Sequence, residues 1–379
     1  MRQNSAGPHE AFLESVTLLM RTHDLIEYLY MVIERGGSDL HLAAGSPPMG
    51  RINGVLEPVT DEEFDLADLR ELILGVLKEN QRAKLEKEWE LDFAIQVENL
   101  GRFRGNACYV LGRIEASFRY IPSSIPELRD LGHGPTVEGF AHLRDGLILV
   151  TGTSNSGKTT TLSSLTQHIS RVRKATIVSI EDPIEYLFSH GQSVIRQRQV
   201  GADTHSFAAA IKSALRQDAD VIIVSELRDM ETMRTALTAA ETGHLVVSTL
   251  HTHDAPSTIL RIMDAFPEEQ QEFVASQLAS SLRGVICQSL IVRRDQPGRV
   301  MASEIMVGSS AIASTIRSRR LTQLPNLIQL GSVNGMHTID DSLLHLANHG
   351  FITLDDALVR ARDADFVQMN HRAFLRENR

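Results

Sequence analysis

Cysteine is nearly missing from this 379-residue chain: only Cys108 and Cys287 are present, far apart. Two isolated cysteines exclude a C-x-x-C zinc pair and a disulfide framework, and they fit a reducing compartment. Aromatic residues make up only 5%, which leaves little material for the stacking platforms that hold single-stranded nucleic acid. Positive charge is also in deficit, with 38 Lys and Arg against 48 Asp and Glu, a formal net charge of −10. That balance argues against a broad electrostatic footprint for nucleic acid or an anionic membrane surface and leaves open only a local basic patch. No apolar run approaches the roughly 20 residues that span a bilayer. The N-terminal stretch MRQNSAGPHEAFLESVTLLMRT lacks the apolar core and small-residue cleavage site of a signal peptide. The expectation is a cytoplasmic protein that makes no direct nucleic-acid contact and meets membrane only through partners. Internal repeats and low-complexity segments are missing too.

What remains is ordinary globular material, 42% hydrophobic and 23% charged, and its length suits two domains. Residues 11–36 carry apolar positions at helical spacing (Phe12, Val16, Leu19, Leu25, Leu29, Val32, Ile33), predicting one or two amphipathic helices that end at Gly36-Gly37. Short alternating runs then flank a charged helix near 67–87, and Phe103–Tyr109 and Ala116–Tyr120 complete a strand-rich α+β module. The Pro-, Gly- and Ser-rich stretch IPSSIPELRDLGHGP at 121–135 reads as a linker. From about 140, the apolar strands LILVTG, ATIVSIED, DVIIVSE and HLVVSTLH alternate with helical stretches, the rhythm of a parallel sheet with crossover helices. The tail from about 302 reads as mainly helical, with Thr338 and Thr353 as caps. The predicted order is an extension over 1–22, a small α+β domain over 23–120, a linker over 121–138 and an α/β nucleotide-binding domain over 139–379.

The chemistry begins at TGTSNSGKTT, residues 151–160, which contains Gly152-x-x-x-x-Gly157-Lys158-Thr159, the full P-loop spacing between a strand and a helix. The glycines permit a tight wrap, backbone N–H groups and the helix N-terminus hold phosphate oxygens, Lys158 reaches the β- and γ-phosphates, and Thr159 ligates Mg²⁺. The expected cradle for ATP is therefore Gly152, Ser154, Asn155, Ser156, Gly157, Lys158, Thr159 and Thr160. Glu181 and Asp182 end the strand IVSIED at the edge where α/β sheets bind ligands; with Thr159 and Glu226 they are the candidate metal ligands. In isolation the acidic segment could equally be a surface turn. Glu226 closes the apolar strand DVIIVSE and is the expected catalytic carboxylate, orienting the attacking water beside the γ-phosphate. His244 and His251 bracket the next strand; each could donate to a phosphate or relay nucleotide state, and each could equally be structural.

P-loop, IEDPIE, VIIVSE and TGHLVVSTLH, in this order, resemble the Walker A, Asp, Walker B and His boxes of the secretion-ATPase superfamily, whose members power type II and type IV secretion and type IV pili. SDLHLAAGSPPM at 38–49, GRFRGNA at 101–107, the long segment 213–246 and SEIMVG at 303–308 extend the resemblance to the type IV pilus retraction ATPases over roughly residues 25–365. The resemblance implies a homohexameric ring of subunits, each with a PAS-like N-terminal domain and a RecA-like ATPase domain. It further implies that ATP hydrolysis acts on an inner-membrane platform protein to depolymerise pilin, so that the motor sits in the cytoplasm against the inner membrane at the pilus base. Arg102, Arg104 and Arg119 match the family's N-terminal arginines that reach toward nucleotide; Arg104 and Arg119 are the candidate charge-stabilising pair. Arg216 and Arg228 read as interdomain or ring contacts.

Departures from the family pattern are Thr153 for Pro and Asn155 for Gly in the P-loop, Ser225 for the Gly before Glu226, and AIASTIR at 311–317 where retraction ATPases carry A-I-R-N-L-I-R. Two alternatives stay open beside a retraction motor. One is a related secretion-system assembly ATPase, for which the longer chain and four-cysteine module are missing. The other is an accessory paralogue that binds ATP with weak turnover.

Overall fold

The computed structural model describes residues 25–377 except 53, 62, 64, 99, 122 and 123. The expected extension 1–22 and the first part of the expected helix over 11–36 lie outside the described residues. Two compact units emerge, one running up to Ser124 together with Glu185–Leu187, the other covering Ile125 to Ile184 and everything from Phe188 onward.

In the first unit, residues 25–34 are helical (α1). They are followed by strands β1 (Gly37–Leu42), β2 (Met49–Ile52) and β3 (Val55–Pro58), helices α2 (Leu66–Gly75) and α3 (Glu79–Glu88), and strands β4 (Glu90–Val97), β5 (Gly101–Val110) and β6 (Arg113–Ile121). The six strands form an antiparallel sheet in the order β3-β2-β1-β6-β5-β4. Alternation along the strands puts Leu40, Leu42, Phe93, Phe103 and Phe118 on one face, packed with Leu25, Leu29 and Val32 of α1 and Leu69, Leu72 and Ile73 of α2. Gly105 is forced: a Cβ there would enter the Phe93 ring. The single helix expected near 67–87 is two. Gly75 ends the apolar α2, Lys78 is extended (ψ 156°), and the polar α3 starts afresh, because glycine is a poor helix interior and α3 has one buried anchor, Leu85.

The second unit opens with α4 (Pro135–Gly139), inside the stretch expected to be linker, and continues through β7 (Gly146–Thr151), α5 (Lys158–Val172), β8 (Thr176–Glu181), β9 (Val194–Gln199), α6 (Phe207–Ala214), β10 (Val221–Val224), α7 (Met230–Glu241), β11 (Leu245–Leu250), α8 (Ala255–Asp264) and α9 (Glu268–Ser281). A hairpin of β12 (Leu282–Val292) and β13 (Arg299–Val307) precedes α10 (Ser310–Arg317), α11 (Leu324–Leu330), α12 (Ile339–Asn348), α13 (Leu354–Arg360) and α14 (Ala364–Glu377). The sheet order is β13-β12-β7-β11-β10-β8-β9, with only β13 antiparallel. Every residue of β7, β10 and β11 is buried, as expected of parallel strands covered on both faces. Leu147 and Leu149 point to the core shared with α6–α9, whereas Ile148 and Val150 point to the core under α5. The helical tail thus begins at Ser310 rather than near 302, since β13 runs through Val307. Thr338 and Thr353 do cap α12 and α13.

Register fixes where chemistry can happen. Val224 lies opposite both Ile180 and Ser248, and Leu250 lies opposite Thr151. The residues that follow these strands, Gly152, Asp182, Glu226 and His251, therefore all leave the sheet at its carboxyl edge.

Candidate active site

Left-handed backbone shapes the loop between β7 and α5: Gly152 has φ +146°, Asn155 +62° and Gly157 +88°. A Cβ on Gly152 would collide with the Gln288 carbonyl oxygen and the Ser156 side chain. Asn155, standing where the family pattern has glycine, adopts the conformation a glycine would supply, which asparagine tolerates better than most residues. Gln288 of β12 braces the loop from below, its Nε2 donating to the Ser156 carbonyl at 2.7 Å. The Ser156 hydroxyl and the Gln288 Oε1 are buried and have no hydrogen-bond partner among the described residues, so the cradle retains polar capacity.

Lys158 opens α5 and is 8% exposed. Its ammonium donates to the carbonyls of Gly152 (3.0 Å) and Thr153 (2.7 Å) and lies 3.3 Å from His251 Nδ1. Burial pulls its pKa below the usual lysine value, and the negative charge of Glu226 pushes it back up. The other ring nitrogen of His251, Nε2, stands 3.3 Å from Glu226 Oε1. With an ammonium donor at Nδ1, the ring carries its proton on Nε2, aimed at the carboxylate. Glu226 Oε2 accepts Arg228 Nε at 2.9 Å, and Arg228 Nη1 is 3.7 Å from Asp182. The structure thus strings Lys158, His251, Glu226, Arg228 and Asp182 into one chain. Thr249 clamps the backbone around Glu226, its hydroxyl donating to the Ser225 carbonyl (2.6 Å) and its carbonyl accepting from Leu227 N–H (3.1 Å).

Other expected site residues are placed differently. Ser154 is exposed, and Thr159 and Thr160 are half-buried in the first turn of α5. Glu181 is buried, with its Oε1 held by the Ser179 hydroxyl (2.7 Å) and Gln197 (3.0 Å). His244 requires a correction: it precedes β11, its carbonyl accepts from Gly146 N–H, and its ring faces the Ala239 carbonyl at 3.1 Å. That is the amino edge of the sheet, about 20 Å from the P-loop at the rise of an extended chain. Arg228, expected at an interdomain or ring contact, pairs with Glu226 and Asp182 within the second unit. Arg104 and Arg119 belong to the first unit, directly opposite each other on β5 and β6. Arg119 Nε meets Asp39 at 2.7 Å, and Arg104 is 3.8 Å from Asp92. Burial, the largest influence, raises the Asp39 carboxyl, but Ser38 and Arg119 together hold it below the usual range.

Gln288, Thr249 and Arg299, whose Nη1 is 3.5 Å from the Asn155 carbonyl, were not evident as site residues. The signal for Thr249 was its place two residues before His251 on a strand paired with β10. Gln288 and Arg299 gave none, because polar residues break the apolar pattern of the hairpin that carries them. Among the described residues no group of three or more His, Cys, Asp or Glu could hold a metal ion by itself.

Residues 28–330 match the family described as type II/IV secretion system protein. The chain is 41% identical over 339 residues to the type IV pilus retractation ATPase PilT of Pseudomonas aeruginosa, covering 89% of this chain and 98% of that protein. It is 40% identical over 319 residues to the twitching motility protein of Neisseria gonorrhoeae, covering 84% and 85% respectively. The crystal structure of the pilus retraction motor PilT with bound ADP superposes with a TM-score of 0.82 at 44% identity, covering 88% of this chain and 95% of that one.

Proposed function

The chain belongs to the type II/IV secretion system protein family, and from that premise we propose that it is an ATP-hydrolysing motor that powers retraction of type IV pili. The observation that carries the catalytic part is the Lys158–His251–Glu226 chain at the carboxyl edge of the sheet. The motor part is supported by likeness to the Pseudomonas and Neisseria proteins over most of this chain.

ATP is the substrate, and its phosphates fit the cradle: three left-handed positions wrap the loop, α5 presents its N-terminal N–H groups, and Lys158 can exchange carbonyl partners for phosphate oxygens. Glu226 orients the attacking water, and His251 holds that carboxylate against Lys158 while the nucleotide turns over. The sparse protein donor set, Thr159 and Glu226 with Asp182 nearby, suits Mg²⁺, a cation that keeps several waters and takes phosphate oxygens. Bound there, it would neutralise charge on the β- and γ-phosphates. Arg104 and Arg119 are assigned the stabilisation of charge on the transferring phosphoryl, a contribution of about 10³–10⁵ in rate where such arginines act. The assembled form is taken to be a homohexamer, working from the cytoplasm on an inner-membrane platform protein.

The reading is tested in a piliated bacterium deleted for its own retraction ATPase. Expression of this chain restores twitching, and the Lys158→Ala variant does not. Robust ATP turnover without any restored twitching would refute retraction while leaving the ATPase in place. Nucleotide binding without turnover would point to the accessory role.

A further inference from the structure

Glu304 lies in the middle of β13 with no solvent exposure. A buried carboxylate is costly unless fully paired, and here both oxygens are used. Oε1 accepts the backbone N–H of Ala255 at 2.9 Å, the first residue of α8, and Oε2 accepts Arg362 Nη1 at 2.8 Å. The other arm of Arg362, Nη2, is 3.2 Å from Asp254 Oδ2 and 3.4 Å from the His253 carbonyl. Asp254 in turn caps α8 through Ser257 N–H at 2.6 Å. Arg362 is itself fixed, because the N–H groups of Arg362 and Asp363 donate to the two oxygens of Asp340 on α12 at 2.8 and 3.1 Å. The pair thereby holds three consecutive residues against the C-terminal helices, Arg362 holding His253 and Asp254 and Glu304 holding Ala255. Two residues upstream stands His251, between Lys158 and Glu226. A cavity of about 230 Å³, lined by Gly152, Thr153, His253, Gln288 and Arg362 among others, lies alongside.

We infer that Glu304 and Arg362 are positioning residues for His251: the pair fixes where the chain turns from β11 into α8 and so ties the Lys158–His251–Glu226 chain to helices α12–α14. The purely structural alternative is stability alone, which an apolar replacement of the pair would serve as well or better. The inference rests on the reading of Glu226 as the hydrolytic carboxylate.

Arg362→Lys keeps the charge but loses the two-armed geometry, and Glu304→Gln keeps the shape but loses the charge. Steady-state kcat and KM, with fluorescent-nucleotide binding, are measured for each variant alone and in a His251→Ala background. The expected result is a fall in kcat of about tenfold or more with nucleotide affinity within about twofold. In the His251→Ala background neither variant lowers kcat by more than about twofold further, the non-additivity expected of residues acting through one group. Unchanged kcat in either folded variant overturns the inference, as does an equal loss in both backgrounds. Should Arg362→Lys fail to fold, the isosteric Glu304→Gln decides alone. Wild-type turnover that survives Glu226→Gln would instead remove the assigned base, which distinguishes failure of that reading from failure of this one.

Discussion

Lys158 is the residue on which the site depends, since its buried ammonium is shared between two loop carbonyls and the Nδ1 of His251. Lys158→Ala is expected to abolish measurable nucleotide binding and turnover; unchanged ATPase activity would show that the loop does not hold the phosphates. Gly152→Ala should do comparable damage by geometry alone, because its φ of +146° disfavours any side chain and the new methyl would strike the Gln288 carbonyl and Ser156. Titration with a fluorescent ATP analogue checks this, and wild-type affinity would mean that the loop relaxes freely. Most of these residues were legible in the sequence because the P-loop is read from spacing. His244 and His251 looked equivalent because they bracket the same strand. Only the polarity of a parallel sheet separates them, sending His251 to the phosphate edge and His244 to the other. The pairing of Arg228 with Glu226, two residues before it, is a turn of the chain that no sequence pattern announces.

Among the elements, β11 carries more of the site than its apolar composition suggests. Its Thr249 clamps the backbone on both sides of Glu226, so Thr249→Val should leave the Ser225 carbonyl unsatisfied, cost about 1–3 kcal/mol of stability, and lower kcat more than it raises KM. Thermal unfolding with parallel kinetics tests this; Thr249→Ser, which keeps the hydroxyl, should recover most of both. The segment before α4 offers a pH test. His133 is buried, its Nε2 is 3.0 Å from the Thr161 hydroxyl of α5, and its Nδ1 has no hydrogen-bond partner among the described residues. Burial, reinforced by the nearby His337, pushes its pKa down to about 4 from 6.5. Between those values the unfolded chain binds the extra proton, so the stabilisation is complete above pH 6.5 and drains away as pH falls toward 4, about 3 kcal/mol in all. Tm measured from pH 7 to 4.5 should fall less steeply in His133→Gln than in the wild type, and parallel slopes would contradict the assignment. The strands β7 and β10 were readable as apolar runs, and β8 and β11 as mainly apolar ones despite Ser179, Ser248 and Thr249. The β12–β13 hairpin was not, because Arg283, Gln288 and Ser289 interrupt β12, and Gly284 sits where only a glycine clears the Phe140 ring.

At the scale of the whole molecule, the formal charge is −10 and, among the described residues, no helix is long and apolar enough to cross a membrane. If six copies form the working ring, sedimentation of the purified chain with nucleotide should give a six-chain particle, and Arg104→Ala should lower turnover far more than nucleotide affinity. A fully active monomer would exclude the ring as the catalytic unit. The change of texture along the chain led to the expectation of two domains, whereas α4, inside the stretch expected to be linker, left no signal, because a five-residue helix leaves too short a periodic trace.

The most direct test of the account is the steady-state ATPase rate of the purified chain beside Glu226→Gln, with nucleotide binding measured on the same samples. Wild-type turnover that disappears in Glu226→Gln while ATP binding persists is the predicted result. Equal turnover in the two proteins, or loss of binding together with turnover, would contradict the role given to Glu226.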